Sequence, residues 1–277
     1  MRGALGEKIG EGNFAVVHAW AQGQVVKLFK AGFSQQLTSH EARMTRAAFA
    51  AGAPAPEMLG EVTVEGRFGI VLSRLDGPTL TQLTRSGTMT LAQAGAILAN
   101  LVVSVHRTPP PRDIPSLRGW IDHVSRRNGR DRLPSHTATA VLTLIDRLRP
   151  AGELCHGDLH PSNVIMTVDG PRLIDWTWSI RGPAALDLGF SHIVLTEIAA
   201  DRVDDPRRLG ALNAALQSEY ATLAGMSPEA LTAAVEAYLP VVCAFHLLVG
   251  AEGALRERLI QRLEAALPTN HSGLPTI

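Results

Sequence analysis

The sequence predicts an α+β chain in two lobes, a small β-rich N-terminal lobe at residues 1–75 and a large α-rich C-terminal lobe at residues 76–277. Up to about Leu72, short segments of β-branched and aromatic residues alternate with glycine turns. From Thr90 onward, apolar residues recur at helical spacing instead. A third observation is that residues 153–180 interrupt the helical half with short strands and turns.

In chain order, "FAVVHAW", "QVVKLFK", "EMLGEVTV" and "RFGIVLS" read as strands punctuated by Gly23, Gly60 and Gly66. Between the second and third, "SQQLTSHEARMTRAAFAAG" is rich in helix formers and is closed by Gly52 and "APAP", so one helix is inserted into the sheet. "RLDGPTL", with Asp76, Gly77 and Pro78, is the turn-rich connection between the lobes. Thr90 and Gln93 form a capping box ahead of "LAQAGAILANLVVSVHR", which stops at "TPPPR". Further helices are expected near 117–128, 136–149, 184–200, 207–224, 228–247 and 251–266. "ELCHG", "NVIMTV" and "PRLIDW" read as the short strands and turns of the exception.

At 277 residues the chain can bury a substantial core without a disulfide or structural metal. Lysine plus arginine balances aspartate plus glutamate at 26 each, which leaves no excess positive charge to attract nucleic acid or an anionic membrane. The balance is uneven: residues 1–150 hold 18 basic and 11 acidic side chains, and residues 151–277 hold 8 and 15. An acidic second half suits a cation, metal or basic ligand, although solvated helix faces give the same asymmetry. Cys155 and Cys243 lie far apart without a CxxC pattern, as expected of two buried free thiols in a reducing compartment. "MRGALGEKIGEGN" has no apolar core for a signal peptide, and "YLPVVCAFHLLVG" is short for a span and holds Pro240 and His246. The expectation is a cytoplasmic protein without a membrane partner, a monomer or weak homodimer.

"LCHGDLHPSNVIM", residues 154–166, sets His156, Asp158, His160 and Asn163 between apolar flanks. Asp158 is followed five residues later by Asn163, and twelve after that by Asp175 in "LIDW". Three oxygen-bearing side chains on adjacent loops are hard ligands of the kind magnesium takes. A hairpin between Val164 and Ile174 folds Asp175 back beside Asn163. Aspartate and asparagine also build turns by bonding local backbone, and on this stretch alone both readings stand.

Near the N-terminus, "IGEGNFAVV" places Gly10 and Gly12 between β-type residues. Lysine is scarce, with Lys8, Lys27 and Lys30 the only three. Lys27 is flanked by "VV" and "LF" on a strand; pointed inward it needs a partner, because an unpaired buried ammonium is costly. Glu41 in the following helix is one candidate, and phosphate oxygens are a second.

In this order and spacing, "IGEGNFAVV", Lys27, Glu41, "CHGDLHPSN" and "LIDW" resemble the protein-kinase-like fold. The form of the loop is similar to that of the aminoglycoside phosphotransferase and choline kinase branch. The resemblance covers roughly residues 5–190 and implies a role at each matching position. The backbone of Gly10 and Gly12 would approach the phosphates of ATP, Lys27 would contact the α and β phosphates, and Glu41 would hold Lys27. Ser73 and Leu75 would bind the adenine edge through the hinge backbone, a mode that leaves GTP open. Asp158 would accept the proton of the acceptor hydroxyl, while Asn163 and Asp175 would hold Mg2+. Ala15 stands where a third loop glycine is expected, and Ser73 where an acidic residue is. His156 is implied as a brace, Asp187 in "GPAALDLG" as a hydrogen-bond partner of the loop, and His160 as either a phosphate neighbour or a structural residue. The remaining histidines, His40, His106 and His246 among them, show no HExxH or HxH pattern, so no zinc site is expected.

Protein kinases carry a peptide-binding segment after the metal aspartate. Here only "WTWSIRGPAAL" separates Asp175 from Asp187, no APE-like motif follows, and the loop lacks the arginine of an HRD form. The expected reaction is transfer of the γ-phosphoryl group to a hydroxyl of a small, cationic acceptor, such as an aminoglycoside-like antibiotic or an amino alcohol, bound against the helical tail. Trp176, Trp178, Asp201, Asp204, Asp205, Glu219 and Glu252 are candidate lining groups. The rival readings are an atypical protein serine/threonine kinase and a catalytically silent nucleotide-binding regulatory module.

Overall fold

The computed structural model describes residues 5–133, 135–148, 152–199 and 205–267, and its N-terminal lobe is built on one antiparallel sheet. The strands are β1 (Lys8–Glu11), β2 (Ala15–Ala19), β3 (Gln24–Phe29), β4 (Met58–Val64) and β5 (Arg67–Ser73), in the order β1-β2-β3-β5-β4. The β-type segments predict the last four. β1 is a four-residue addition, with a register shift between Lys8 and Gly10 as it pairs with β2. Lys27 lies at the centre of the sheet, opposite Val17 on β2 and Ile70 on β5.

Helix α1 (Gln35–Ala50) starts where the Ser34 hydroxyl accepts the Leu37 N–H, and the chain leaves it at Gly52. Thr38, Glu41, Ala42, Met44, Thr45 and Ala48 recur at three- and four-residue spacing and are buried, which lays this face on the sheet. Glu41 is the one carboxylate in that stripe, brought to Lys27 by the helix's own period.

The connection between the lobes is pinned rather than loose. Gly77 adopts φ 151, and a Cβ there would stand 2.0 Å from the Met166 carbonyl oxygen, so only glycine fits. Next to it, Met166 donates its N–H to the Pro78 carbonyl at 2.9 Å. The Leu173 N–H donates to the Pro54 carbonyl at 2.8 Å, tying the end of the lower lobe's polar hairpin to the loop ahead of β4.

The C-terminal lobe begins with α2 (Leu80–Arg85) and α3 (Leu91–Arg107), both started by capping boxes, Thr79 with Gln82 and Thr90 with Gln93. Helices α4 (Leu117–Arg132) and α5 (Ser135–Leu148) follow. Then come β6 (Glu153–Cys155), the hairpin β7 (Val164–Thr167) and β8 (Gly170–Leu173), and β9 (Ile180–Gly182), which pairs antiparallel with β6. The expected helix at 184–200 is divided into α6 (Ala184–Ile193) and a π-type turn, Val194–Ile198. The tail is α7 (Pro206–Ala224), α8 (Pro228–Val249) and α9 (Gly253–Ala266). Asp201, Asp204 and His271 lie outside the described residues.

The apolar run judged short for a span belongs to a 22-residue helix, α8, long and apolar enough by length and composition to cross a membrane. Its Val241, Val242, Cys243, Ala244, Phe245 and Leu247 are buried against Phe190, Ile193 and Trp120, in the core of the helical lobe. Cys155 and Cys243 are both free and buried.

Candidate active site

The flanks of the polar loop are anchors. Leu154, Cys155, Leu159 and Val164 are fully buried, so the backbone between them has little freedom. Gly157 bends it at φ 79, and a Cβ there would stand 2.2 Å from the Trp178 carbonyl oxygen. The Asp187 carboxylate holds the bend from below, accepting the His156 N–H at 2.9 Å and the Gly157 N–H at 2.8 Å. His106, from the end of α3, lies 3.2 Å from Asp187 through Nε2 and 3.0 Å from the Tyr220 hydroxyl through Nδ1. Asp187 is fully buried; burial alone would raise its pKa, but the bond to His106 and the neighbouring N–H groups hold it below the usual carboxylate range.

His156 is a brace. Its Nε2 donates to the Ile174 carbonyl at 3.0 Å, its Nδ1 accepts the Asp158 N–H at 3.2 Å, and its buried ring meets Trp176 edge-on at 4.8 Å. Both ring nitrogens are engaged with backbone, so the ring ties the loop to the strand end at Ile174, and burial lowers its pKa.

Asn163 donates its side-chain amide to the Asp158 carbonyl at 2.9 Å and to Asp158 Oδ2 at 3.1 Å. The Asn163 carbonyl accepts the Ile174 N–H at 2.9 Å, which draws the next residue, Asp175, back beside it as the hairpin argument requires. Asp175 sits in the left-handed region at φ 65, ψ 64. Its Oδ1 accepts the Thr177 hydroxyl at 2.8 Å, and its Oδ2 lies 3.2 Å from Lys27 Nζ. The ammonium of Lys27 bonds Glu41 Oε1 at 2.7 Å on its other side. Burial depresses an ammonium, yet the carboxylates of Asp175 and Glu41 more than reverse this, and Lys27 is held above its ordinary value. Glu41 is pushed up by burial against the opposing pull of Lys27; Asp175, for which Lys27 and Thr177 outweigh burial, is pulled down.

The amide oxygen of Asn163 takes no part in the bonds to Asp158, and with a carboxylate oxygen of Asp175 it is a hard donor of the kind a magnesium ion takes. His160 turns Nε2 to within 3.6 Å of Asp158 Oδ2 while Nδ1 accepts the Ser162 N–H. Burial lowers its pKa, but Asp158 outweighs this and raises it.

Gly10 lies in β1, and Gly12 opens the turn in which its N–H bonds the Ala15 carbonyl at 2.9 Å. Neither has a positive φ, and a Cβ would meet nothing closer than 3.9 Å, so the fold itself leaves room there. Ser73, at the position expected to be acidic, serves the sheet: its hydroxyl accepts the Glu57 N–H and its N–H bonds the Glu57 carbonyl, both at 2.9 Å. The Leu75 N–H donates to no backbone group among the described residues.

Residues 9–226 match the APH phosphotransferase enzyme family. The chain belongs to that family. No curated protein sequence matches it. Its fold is shared with an ethanolamine kinase from Plasmodium vivax at 15% identity and TM-score 0.60, over 95% of this chain and 81% of the other. A choline kinase, LicA, from Streptococcus pneumoniae aligns at 15% identity and TM-score 0.55, over 95% and 93%. An aminoglycoside phosphotransferase, APH(3'')-Id, from Streptomyces rimosus, in complex with ADP and streptomycin, aligns at 18% identity and TM-score 0.52, over 85% and 91%.

Within this phosphotransferase fold the expected lining groups separate. Trp176 is fully buried and donates to the Leu173 carbonyl, so it packs the core. Asp205 caps α7 and pairs with Arg207, and Glu252 lies exposed at the start of α9. Glu219 is half-buried on α7. Trp178 is half-buried beside the Gly157 bend, edge-on to Trp120 and Phe245, which stack at 4.0 Å. The sequence reading missed His106, His40 and Thr177. His106 finds Asp187 and Tyr220 at separations of 81 and 114 residues and His40 finds Thr177 at 137, so no local spacing announces them, whereas Thr177 bonds Asp175 from two residues away. Cys155, His106 and Asp187 bring potential ligand atoms within 4.8 Å of one another, but burial pushes the Cys155 thiol up and Asp187 already accepts the loop N–H groups, so the cluster serves the loop.

Proposed function

We propose that this member of the phosphotransferase family transfers the γ-phosphoryl group of ATP, or of GTP, to a hydroxyl of a small, cationic acceptor such as an aminoglycoside-like antibiotic or an amino alcohol. The observation that carries the proposal is the convergence of Lys27, Glu41 and Asp175 into one bonded set beside the Asp158–Asn163 pair. In this reading Gly10 and Gly12 leave space for backbone to approach phosphates, Lys27 bonds phosphate oxygens, and Leu75 offers its N–H to the base edge. Asp158 orients the acceptor hydroxyl and takes its proton. Asn163 and Asp175 would hold Mg2+, which when bound neutralises charge on the transferring group. Asn163 also fixes the Asp158 carboxylate, and Asp187 and His156 keep the loop from drifting.

A small acceptor is favoured by what lies between Asp175 and Asp187. Trp176–Trp178 form a 3-10 turn, Ile180–Gly182 pair with β6, and α6 starts at Ala184. That leaves no free segment to dock a peptide. The acidic balance of residues 151–277 favours a cationic acceptor.

The test is an ADP-release screen of aminoglycosides, other hydroxylated antibiotics, choline-like amines, sugars and homoserine with Mg2+ and either ATP or GTP. The expected result is turnover with one small class, lost in Asp158→Ala while nucleotide binding is retained. Equal activity of that variant, or phosphate transfer to protein serine alone, overturns the proposal.

A further inference from the structure

The residue before Glu41 reaches further than Glu41 does. His40 Nε2 donates to the Thr177 carbonyl oxygen at 3.0 Å, a bond from α1 of the upper lobe to the loop that carries Asp175 in the lower one. It completes a closed circuit. Glu41, the neighbour of His40, bonds Lys27 at 2.7 Å; Lys27 reaches Asp175 at 3.2 Å; the Thr177 hydroxyl bonds Asp175 at 2.8 Å; and the Thr177 carbonyl returns to His40. Within the circuit, Asp175 lies in the left-handed region, which aspartate reaches more readily than most residues but still at a cost, offset here by its bonds to Lys27 and Thr177.

α1 also meets the lower lobe through apolar packing, with Met44 and Ala48 in one buried cluster with Leu173 and Trp176, and through the charge of Glu41 on Lys27. The bond from His40 holds backbone, so it fixes where the peptide after Asp175 sits whatever the carboxylate is doing. We propose that His40 is a positioning residue that clamps the Asp175 loop to α1, so that docking of α1 and presentation of the Asp175 carboxylate are one event. The catalytic consequence rests on the phosphotransferase reading; the clamp itself does not. The link is an N–H donated to a carbonyl oxygen, so a glutamine Nε2 can replace it.

The experiment compares the full chain with His40→Leu and His40→Ala, which lack the donor, and His40→Gln, which keeps one. Amide hydrogen exchange of the peptide spanning residues 175–179 is measured without ligand, and Mn2+ is titrated in the presence of ATP. The expected result for Leu and Ala is about tenfold faster exchange in that peptide and a Mn2+ midpoint about tenfold weaker, with metal-free ATP affinity unchanged. His40→Gln returns both readouts to within about threefold of the parent. Parent-like exchange and Mn2+ response in Leu and Ala overturn the proposal, as does a folded Gln variant as impaired as they are. If the parent itself fails to bind Mn2+ with ATP, the phosphotransferase reading falls, while the exchange comparison still decides the clamp.

Discussion

Lys27 of the upper sheet and Asp175 of the lower lobe meet at 3.2 Å across the lobe boundary, with Glu41 on the other side of the same ammonium. Glu41 is 3% exposed, so its carboxylate depends on Lys27 for its charge. Lys27→Met strands that carboxylate and is expected to cost about 3–5 kcal/mol of stability in urea unfolding. Adding Glu41→Gln should recover much of the stability and none of the nucleotide affinity. Strict additivity of the two changes in a double-mutant cycle would show that the pair is not coupled.

Asp187 supports the loop with both carboxylate oxygens. In Asp187→Asn the amide nitrogen faces an N–H where an oxygen is required, at an expected cost of about 1–3 kcal/mol. The displaced loop should lower kcat by about a hundredfold in the ADP-release assay, with little change in nucleotide KM. His106→Leu leaves the bonds to His156 and Gly157 in place, so it should lose stability and keep most of kcat. A His106 variant as inactive as Asp187→Asn would mean that His106, not the carboxylate, sets the loop.

Two glycines should fail in opposite ways. Gly157→Ala drives a Cβ into the Trp178 carbonyl at a positive φ and is expected to lower stability by about 1–3 kcal/mol or more. Gly12→Ala meets only the Ala15 carbonyl oxygen at 3.9 Å, an ordinary contact, so its stability should stay within about 0.5 kcal/mol of the parent while nucleotide affinity falls. Thermal midpoints and ATP titration of both variants check this, and unchanged ATP affinity in Gly12→Ala removes the loop from the nucleotide site.

The sequence made the site legible where chemistry is local. Asp158 and Asn163 share one short loop, and the hairpin after them brings Asp175 back because β7 and β8 pair in register from Val164 and Leu173. Lys27 was marked by its apolar neighbours, and Glu41 by lying in the next helix. The supports were not legible, because His106 and His40 find partners through packing of distant elements, and an imidazole on a helix looks the same with or without one. β1 shows in the sequence only as β-type residues around Gly10, because four residues with a central glycine carry little strand signal. α8 is expected at 228–247 and runs from Pro228 to Val249; Pro240, which counts against a membrane span, lies inside the helix, where tertiary packing on both sides holds it.

Acid should weaken the fold, and His246 gives the sign. Burial lowers its pKa from the ordinary 6.5 to about 4, and its Nε2 has no hydrogen-bond partner among the described residues. Between those values the unfolded chain binds a proton that the folded chain refuses, so stability falls as pH drops through that window. Burial lowers His40, His156 and His192 as well, adding slope of the same sign. His160, raised by Asp158, works against them, since the folded state holds its proton more tightly. Urea midpoints should therefore be lower at pH 5 than at pH 7. His246→Leu should flatten the dependence by up to about 1.4 kcal/mol per pH unit inside the window, and fill the site with an apolar group that Phe190 and Phe245 can pack against. A variant with the parent's full pH slope would show that the His246 ring is solvated and that the dependence arises elsewhere.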